Sequence, residues 1–143
     1  MKPTFRVGAC AALLLAIGSG PSLANLSTAD LPHAKPGLWE VKGSLNGRPM
    51  PTEHNCDRGE RDVRPRQLTR AECPVQNVSR DPSGGWAIDA VCGARNVSVK
   101  AHVVVRGDFH THFITDSREV MTMGGRTVTN IGHMESHYVG PCV

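Results

Sequence analysis

Between residues 97 and 105 the chain alternates with a period of two. Val97, Val99, Ala101, Val103 and Val105 fall on one side, and Ser98, Lys100 and His102 on the other. This is the pattern of a strand with one apolar and one wet face. GLWEVKGSL repeats it, setting Trp39, Val41, Gly43 and Leu45 against Leu38, Glu40, Lys42 and Ser44. Further runs near 73–80, 86–92, 96–105, 109–121 and 126–139 are separated by DPSGG, GAR, RGD and GG, turn chemistry at the spacing of an all-β domain. The pattern predicts one small antiparallel meander over residues 37–143, built as a curved sheet or a partly open barrel. NGRPMPTEHN breaks the first strand. Residues 57–72, DRGERDVRPRQLTRAE, lack apolar periodicity and read as an irregular excursion with one helical turn near its end, where Pro74 forbids extension. NLSTADLPHAKP, residues 25–36, is polar and proline-bearing and reads as a linker.

One apolar stretch fits no strand. MKPTFR is followed by VGACAALLLAIG and then SGPSLAN, the basic, apolar and small-residue layout of a secretory signal. The apolar run is shorter than the roughly 20 residues a spanning helix needs. Ser22 and Ala24 suit the signal peptidase, which predicts a signal peptide over 1–24, cleavage after Ala24, and a periplasmic or secreted chain with no transmembrane anchor. Cys10 precedes most of the apolar run, the wrong order for a lipidated cysteine. Taking 24 residues from 143 leaves 119, the size of one domain. Loss of Lys2 and Arg6 leaves 14 basic residues against 13 acidic ones, a net charge of +1. The sequence pI of about 8.7 therefore belongs to the precursor, and nothing in the charge points to nucleic acid.

Export changes the reading of the cysteines. Cys56, Cys73, Cys92 and Cys142 remain, an even count that predicts a disulfide framework. With no C-x-x-C pair, a four-cysteine metal centre has little support. Folding a hairpin about Pro82 and Ser83 sets Cys73 opposite Cys92, at the roughly 4.5–5.5 Å Cβ spacing of facing residues, although a bulge at Gly84 or Gly85 would shift this register by one. Cys56 is then left for Cys142. That second bridge closes a loop of about 87 residues and is worth about 4–5 kcal/mol on a chain-entropy model. The help matters, because the aromatics of the exported part are only Trp39, Trp86, Phe109, Phe113 and Tyr138.

With these landmarks the chain resembles the exported bacterial domain of unknown function 3617 family. The resemblance rests on KPGLWEV at Lys35 to Val41, on Cys56, Cys73 and Cys92, on Met-Thr-Met at Met121 to Met123 leading into Gly-Gly, and on YVGPC at Tyr138 to Cys142. It spans nearly the whole exported part and implies export and a shared fold. It carries no catalytic residue across. The arginine-rich excursion and the number of histidines depart from the family pattern.

The histidines are the most suggestive chemistry. A three-residue RGD loop would put Val105 opposite Phe109 and His102 opposite His112, and a turn at Gly124 and Gly125 would put His112 opposite His137, with His133 and Glu135 on the same side. His102, His110, His112 and His137 are therefore candidate zinc or copper ligands, since alternate strand residues share a face and imidazole binds both metals. The plainer reading is a solvated polar face. Met121, Met123 and Met134 could add soft copper ligands, or fill core gaps. Arg58, Arg61, Arg64, Arg66 and Arg70 are candidate anion contacts, for lipid or polysaccharide, or simply a charged loop. RGD at Arg106 to Asp108 reads as turn chemistry. No G-x-S-x-G, H-E-x-x-H or phosphate loop is present, and bridged cysteines offer no nucleophile. The sequence thus predicts a non-enzymatic exported binding module for an envelope component or small ligand, needing no cofactor. The alternative is a periplasmic zinc- or copper-binding protein.

Overall fold

A computed structural model describes residues 26–143. The expected signal segment, its cleavage point and Cys10 lie outside the described residues. Eight strands form one antiparallel sheet that does not close: β1 (Gly37–Leu45), β2 (Arg48–Pro49), β3 (Glu53–Asp57), β4 (Val75–Arg80), β5 (Trp86–Ala94), β6 (Val97–Gly107), β7 (His112–Met123) and β8 (Arg126–Gly140). β4 to β8 are a meander in chain order, β1 adds to the free edge of β8, and β2 and β3 both pair with the far side of β1. Two 3₁₀ turns, Thr28–Asp30 and Arg66–Thr69, complete the elements, the second being the helical turn expected in the excursion.

The segment after β1 is more ordered than its prolines suggest. Asn46 and Gly47 take φ of 51° and 76° and turn the chain so that Leu45 faces Arg48, the two-residue Asn-Gly hairpin whose backbone matches strand twist. After Met50 and Pro51 the chain returns as β3, with Trp39 opposite Asn55 and Glu40 opposite His54. Residues 26–36 are not a linker. Leu26 bridges to Val78 and His33 to Asp62, Leu31 and Ala34 are buried, and the Lys35 N–H donates to the Phe109 carbonyl at 2.8 Å. Its few apolar residues were hidden among polar ones, and burying them covers a sheet face that the short excursion leaves open.

The core lies between that face and the covering segments. Ile88, Val103 and Val105 are the most completely buried side chains, packed with Leu31, Val63, Leu68, Val78 and Trp86. Trp39 anchors one end, its rings 5.1 Å from Phe113 and 5.5 Å from Tyr138, with Nε1 donating to the Lys35 carbonyl at 2.9 Å. The cover stops short of the other end. Met123 and Val128 are exposed there, so Met123 does not fill the core, and Met121 stands six positions along β7 from the residue that faces Met134.

One register differs from expectation. Val105 faces Thr115, and His102 faces Arg118, not His112. The β6–β7 connection is longer than RGD because Asp108 organises it. Its carboxylate accepts from the backbone N–H of His110, Thr111 and His112 at 2.8, 2.7 and 3.0 Å, and from the Thr111 hydroxyl at 2.5 Å. Phe109 takes φ 58°, and Gly107, at φ 146°, could hold no Cβ, which would sit 2.6 Å from Phe113 Cα. Both disulfides are as the spacing predicts, Cys56–Cys142 and Cys73–Cys92. In the second hairpin Arg80 faces Trp86, and a bulge between Val75 and Asn77 brings the register back so that Val75 faces Ala90. That one-residue shift, at the far end of the hairpin from the glycines, is what lets Cys73 meet Cys92.

Candidate functional site

Strands β1, β3, β7 and β8 carry chemistry on both faces of the sheet. On the covered face, the excursion stands off from the sheet and leaves a cleft of about 260 Å³. Its floor is Trp39, Val41, Phe113 and Met134, with Thr115 and Ser136 as polar groups among them, and Arg61, Arg64 and Arg66 line it together with three carboxylates, Glu53, Asp57 and Asp62. Arg64 is held by Asp62, with Nε at 2.8 Å from one carboxylate oxygen and a terminal nitrogen at 2.8 Å from the other. Arg61 and Arg66 form no ion pair among the described residues.

On the open face, facing residues form rows across the strands. His54, Glu40, His137 and His112 follow one another across β3, β1, β8 and β7. Two positions along, Lys42, Glu135, Ile114 and Arg106 form the next row, and Ser44, His133, Asp116 and Val104 the one after. The rings of His112 and His137 lie 4.5 Å apart between centroids. Glu135 lies between two histidines, Oε2 at 3.7 Å from His137 Nε2 and Oε1 at 3.4 Å from His133 Nε2. One donor atom from each of His112, Glu135 and His137 falls within 4.8 Å of the others. Behind them His133 Nδ1 meets Asp116 at 2.6 Å, and Asp116 meets Arg106 at 2.6 Å.

The ionisation of this row follows from its contacts. The hydrogen bond to Asp116 raises the His133 pKa above the ordinary imidazole value, with Glu135 adding to it and burial opposing. The hydrogen bond from His133 holds Glu135 below the ordinary carboxylate range, and Lys42, 2.6 Å from Glu40, does the same there. The cluster leaves the Glu135 Oε2 edge and both imidazoles on the uncovered face of the sheet.

Of the four histidines expected as ligands, the structure brings together His112 and His137. His102 lies beyond Arg118, paired with Asp89 at 2.7 Å, and His110 sits in the β6–β7 connection with Nδ1 2.6 Å from the Asp108 carbonyl oxygen. Both miss the cluster because the Asp108 turn moved the register. Glu135 lies on the side of His137 as expected, whereas Glu40 and His54 are neighbours that the sequence reading did not place there. Glu135 was legible two positions from His137, but His54 required β3 to be recognised as a strand. Of the arginines, Arg61, Arg64 and Arg66 line the cleft, Arg70 lines a second groove beside Cys73 and Cys92, and Arg58 lines neither. Met121, Met123 and Met134 do not converge.

The model of the family described as "Protein of unknown function (DUF3617)" matches residues 34–142. The chain belongs to that family. No curated protein and no solved structure matches it, so no activity comes to it from a relative. The DUF3617 span takes in all eight strands, both disulfides, the cleft floor and the whole histidine–carboxylate cluster, and it begins at Ala34, inside the packed segment before β1.

Proposed function

We propose that this DUF3617 protein is an exported, non-enzymatic binding module that takes a small ligand with an apolar body and an acidic head into the cleft between excursion and sheet. The observation that carries this reading is the cleft's composition: an aromatic and aliphatic floor of Trp39, Val41, Phe113 and Met134 below a charged rim in which Asp62 holds Arg64 while Arg61 and Arg66, beside Glu53 and Asp57, form no ion pair among the described residues. An apolar floor under convergent polar groups is a common make-up of a small-molecule site. The volume, slightly below the roughly 300–1,000 Å³ of drug-sized pockets, suits a short-chain amphiphile. Export is supported by the N-terminal signal pattern, and two disulfides accord with an oxidising compartment. Among the described residues no helix is long and apolar enough to cross a membrane.

Calorimetric titration with decanoate tests the reading. Saturable one-to-one binding is expected, weakened about tenfold or more in Arg61→Gln/Arg66→Gln and with decanol as the neutral analogue, since charge-assisted hydrogen bonds are worth about 1.5–3 kcal/mol. No saturable heat, or equal affinity in the double variant, would sink it.

A further inference from the structure

On the face of the sheet opposite the cleft, the geometry points to a site for a divalent late first-row transition metal, Zn²⁺ or Cu²⁺, held by His112, His137 and Glu135. Three facts combine. Two imidazoles and a carboxylate present one donor atom each within 4.8 Å of one another. The ligands sit on paired positions of two long central strands, His112 facing His137 and Ile114 facing Glu135, so the backbone that spaces them is fixed by the β7–β8 ladder. The acid is itself oriented: Glu135 Oε1 meets His133 Nε2 at 3.4 Å, His133 Nδ1 meets Asp116 at 2.6 Å, and Asp116 meets Arg106 at 2.6 Å. An outer shell of this kind fixes the direction of a ligating carboxylate and leaves its second oxygen, Oε2, toward His137.

The donor set selects the metal. Two imidazoles and one carboxylate suit Zn²⁺ and Cu²⁺, whereas Ca²⁺ and Mg²⁺ require shells of oxygen. Metal–ligand distances of about 2.0–2.2 Å bring donors closer together than the present 4.8 Å limit. The needed movement is rotation of three half-exposed side chains about Cβ, which the solvent-facing side of a sheet permits. Three protein ligands leave a fourth position open to solvent or to a donor from a partner. His102 and His110 take no part, because the register places them in other pairs. His54 and Glu40 extend the same row past His137 without entering the triad.

Titration of Zn²⁺ into the untagged, chelator-treated full-length protein, read by calorimetry and by thermal unfolding, tests this assignment. One equivalent should bind per chain and raise the melting temperature, and excess Mg²⁺ or Ca²⁺ should not compete. His112→Asn/His137→Asn should abolish the binding, and Glu135→Gln should weaken it by about tenfold or more. All three residues face solvent, so the metal-free melting temperature of each variant should stay near that of the parent, which separates a lost site from a lost fold. His102→Asn/His110→Asn should bind as the parent does. No binding at 100 micromolar free Zn²⁺ by order of magnitude, binding unchanged in the His112/His137 variant, or binding lost in the His102/His110 variant would each overturn it. None of these outcomes depends on whether the cleft takes a ligand.

Discussion

Replacing Cys56 and Cys142 together by serine asks how much of this fold its terminal staple supplies. The two cysteines stand 86 positions apart, whereas Cys73 and Cys92 stand 19 apart. Loop-closure entropy of the unfolded chain gives about 4–5 kcal/mol for the longer bridge and about 3 kcal/mol for the shorter. The folded state should change little. Leu38 faces Cys56 on one side and Gly140 on the other, so the β3–β1–β8 ladders already hold the two ends in place without sulfur. The effect therefore acts through the unfolded ensemble, which expands when the cross-link is gone and should show a larger urea m-value. For a chain of this size each kcal/mol moves the melting temperature by about 3–6 °C, so Cys56→Ser/Cys142→Ser should lose about 12–30 °C under non-reducing conditions. Far-UV circular dichroism during heating and urea titration, with both serine pairs measured side by side, checks the size and the order. A loss below about 1 kcal/mol for the long bridge, or a greater loss for the short one, would refute the chain-entropy argument and show that native contacts near the bridges decide.

Other tests fall on the core and on the turn that sets register. Ile88→Ala removes a side chain with no solvent exposure and should cost about 2–5 kcal/mol in urea unfolding. Ile131→Ala, at a half-exposed position of β8, should stay within about 0.5 kcal/mol, and equal losses at both would deny that the covered face is the core. The hydroxyl and N–H groups of Thr111, with the N–H groups of His112 and His110, hold the Asp108 carboxyl far below the usual carboxylate range. A depressed folded pKa gives stability that is complete above the unfolded value of about 3.9 and is lost as pH falls through the folded one. The melting temperature of the parent should therefore exceed that of Asp108→Asn by a margin that is constant above about pH 5 and shrinks toward pH 2. A margin that grows on acidification would exclude this role.

What could be read in the sequence divides along physical lines. Period-two alternation found the long strands, since each has one wet and one dry side, and DPSGG marked the hairpin that pairs Cys73 with Cys92, with the bulge after Val75 restoring the register the disulfide needs. Short-range signals failed where long-range contacts decide. Residues 26–36 look like a linker because Leu26, Leu31 and Ala34 are spaced irregularly, and only the sheet beneath them makes those positions a face. β3 hides between Met50-Pro51 and an arginine-rich run, since an edge strand with one neighbour needs no continuous apolar side. The RGD register failed because three letters suggest a short turn, while the hydrogen bonds that lengthen it come from an aspartate satisfying the backbone as far as His112. The histidine pair across β7 and β8 was legible because Gly124-Gly125 does form the tight turn it resembles, with Met123 facing Arg126.

That difference between the two hairpins bears on how the two faces are linked. His112 and Phe113 are successive residues of β7, one in the histidine–carboxylate cluster and the other on the cleft floor. Likewise Glu135 and His137 flank Ser136 on β8, and Glu40 follows Trp39 on β1. A one-residue slip in any of these pairings would carry imidazoles into the cleft and aromatics to solvent. Burial of Trp39 and Phe113 thus enforces the spacing of the ligand-bearing residues on the far side, and the sheet needs no separate device to hold them. Asp108 stands where this coupling begins. By accepting three successive N–H groups it starts β7 at His112, and every facing pair of β6 with β7 follows from that start, while the Gly124-Gly125 turn sets those of β7 with β8.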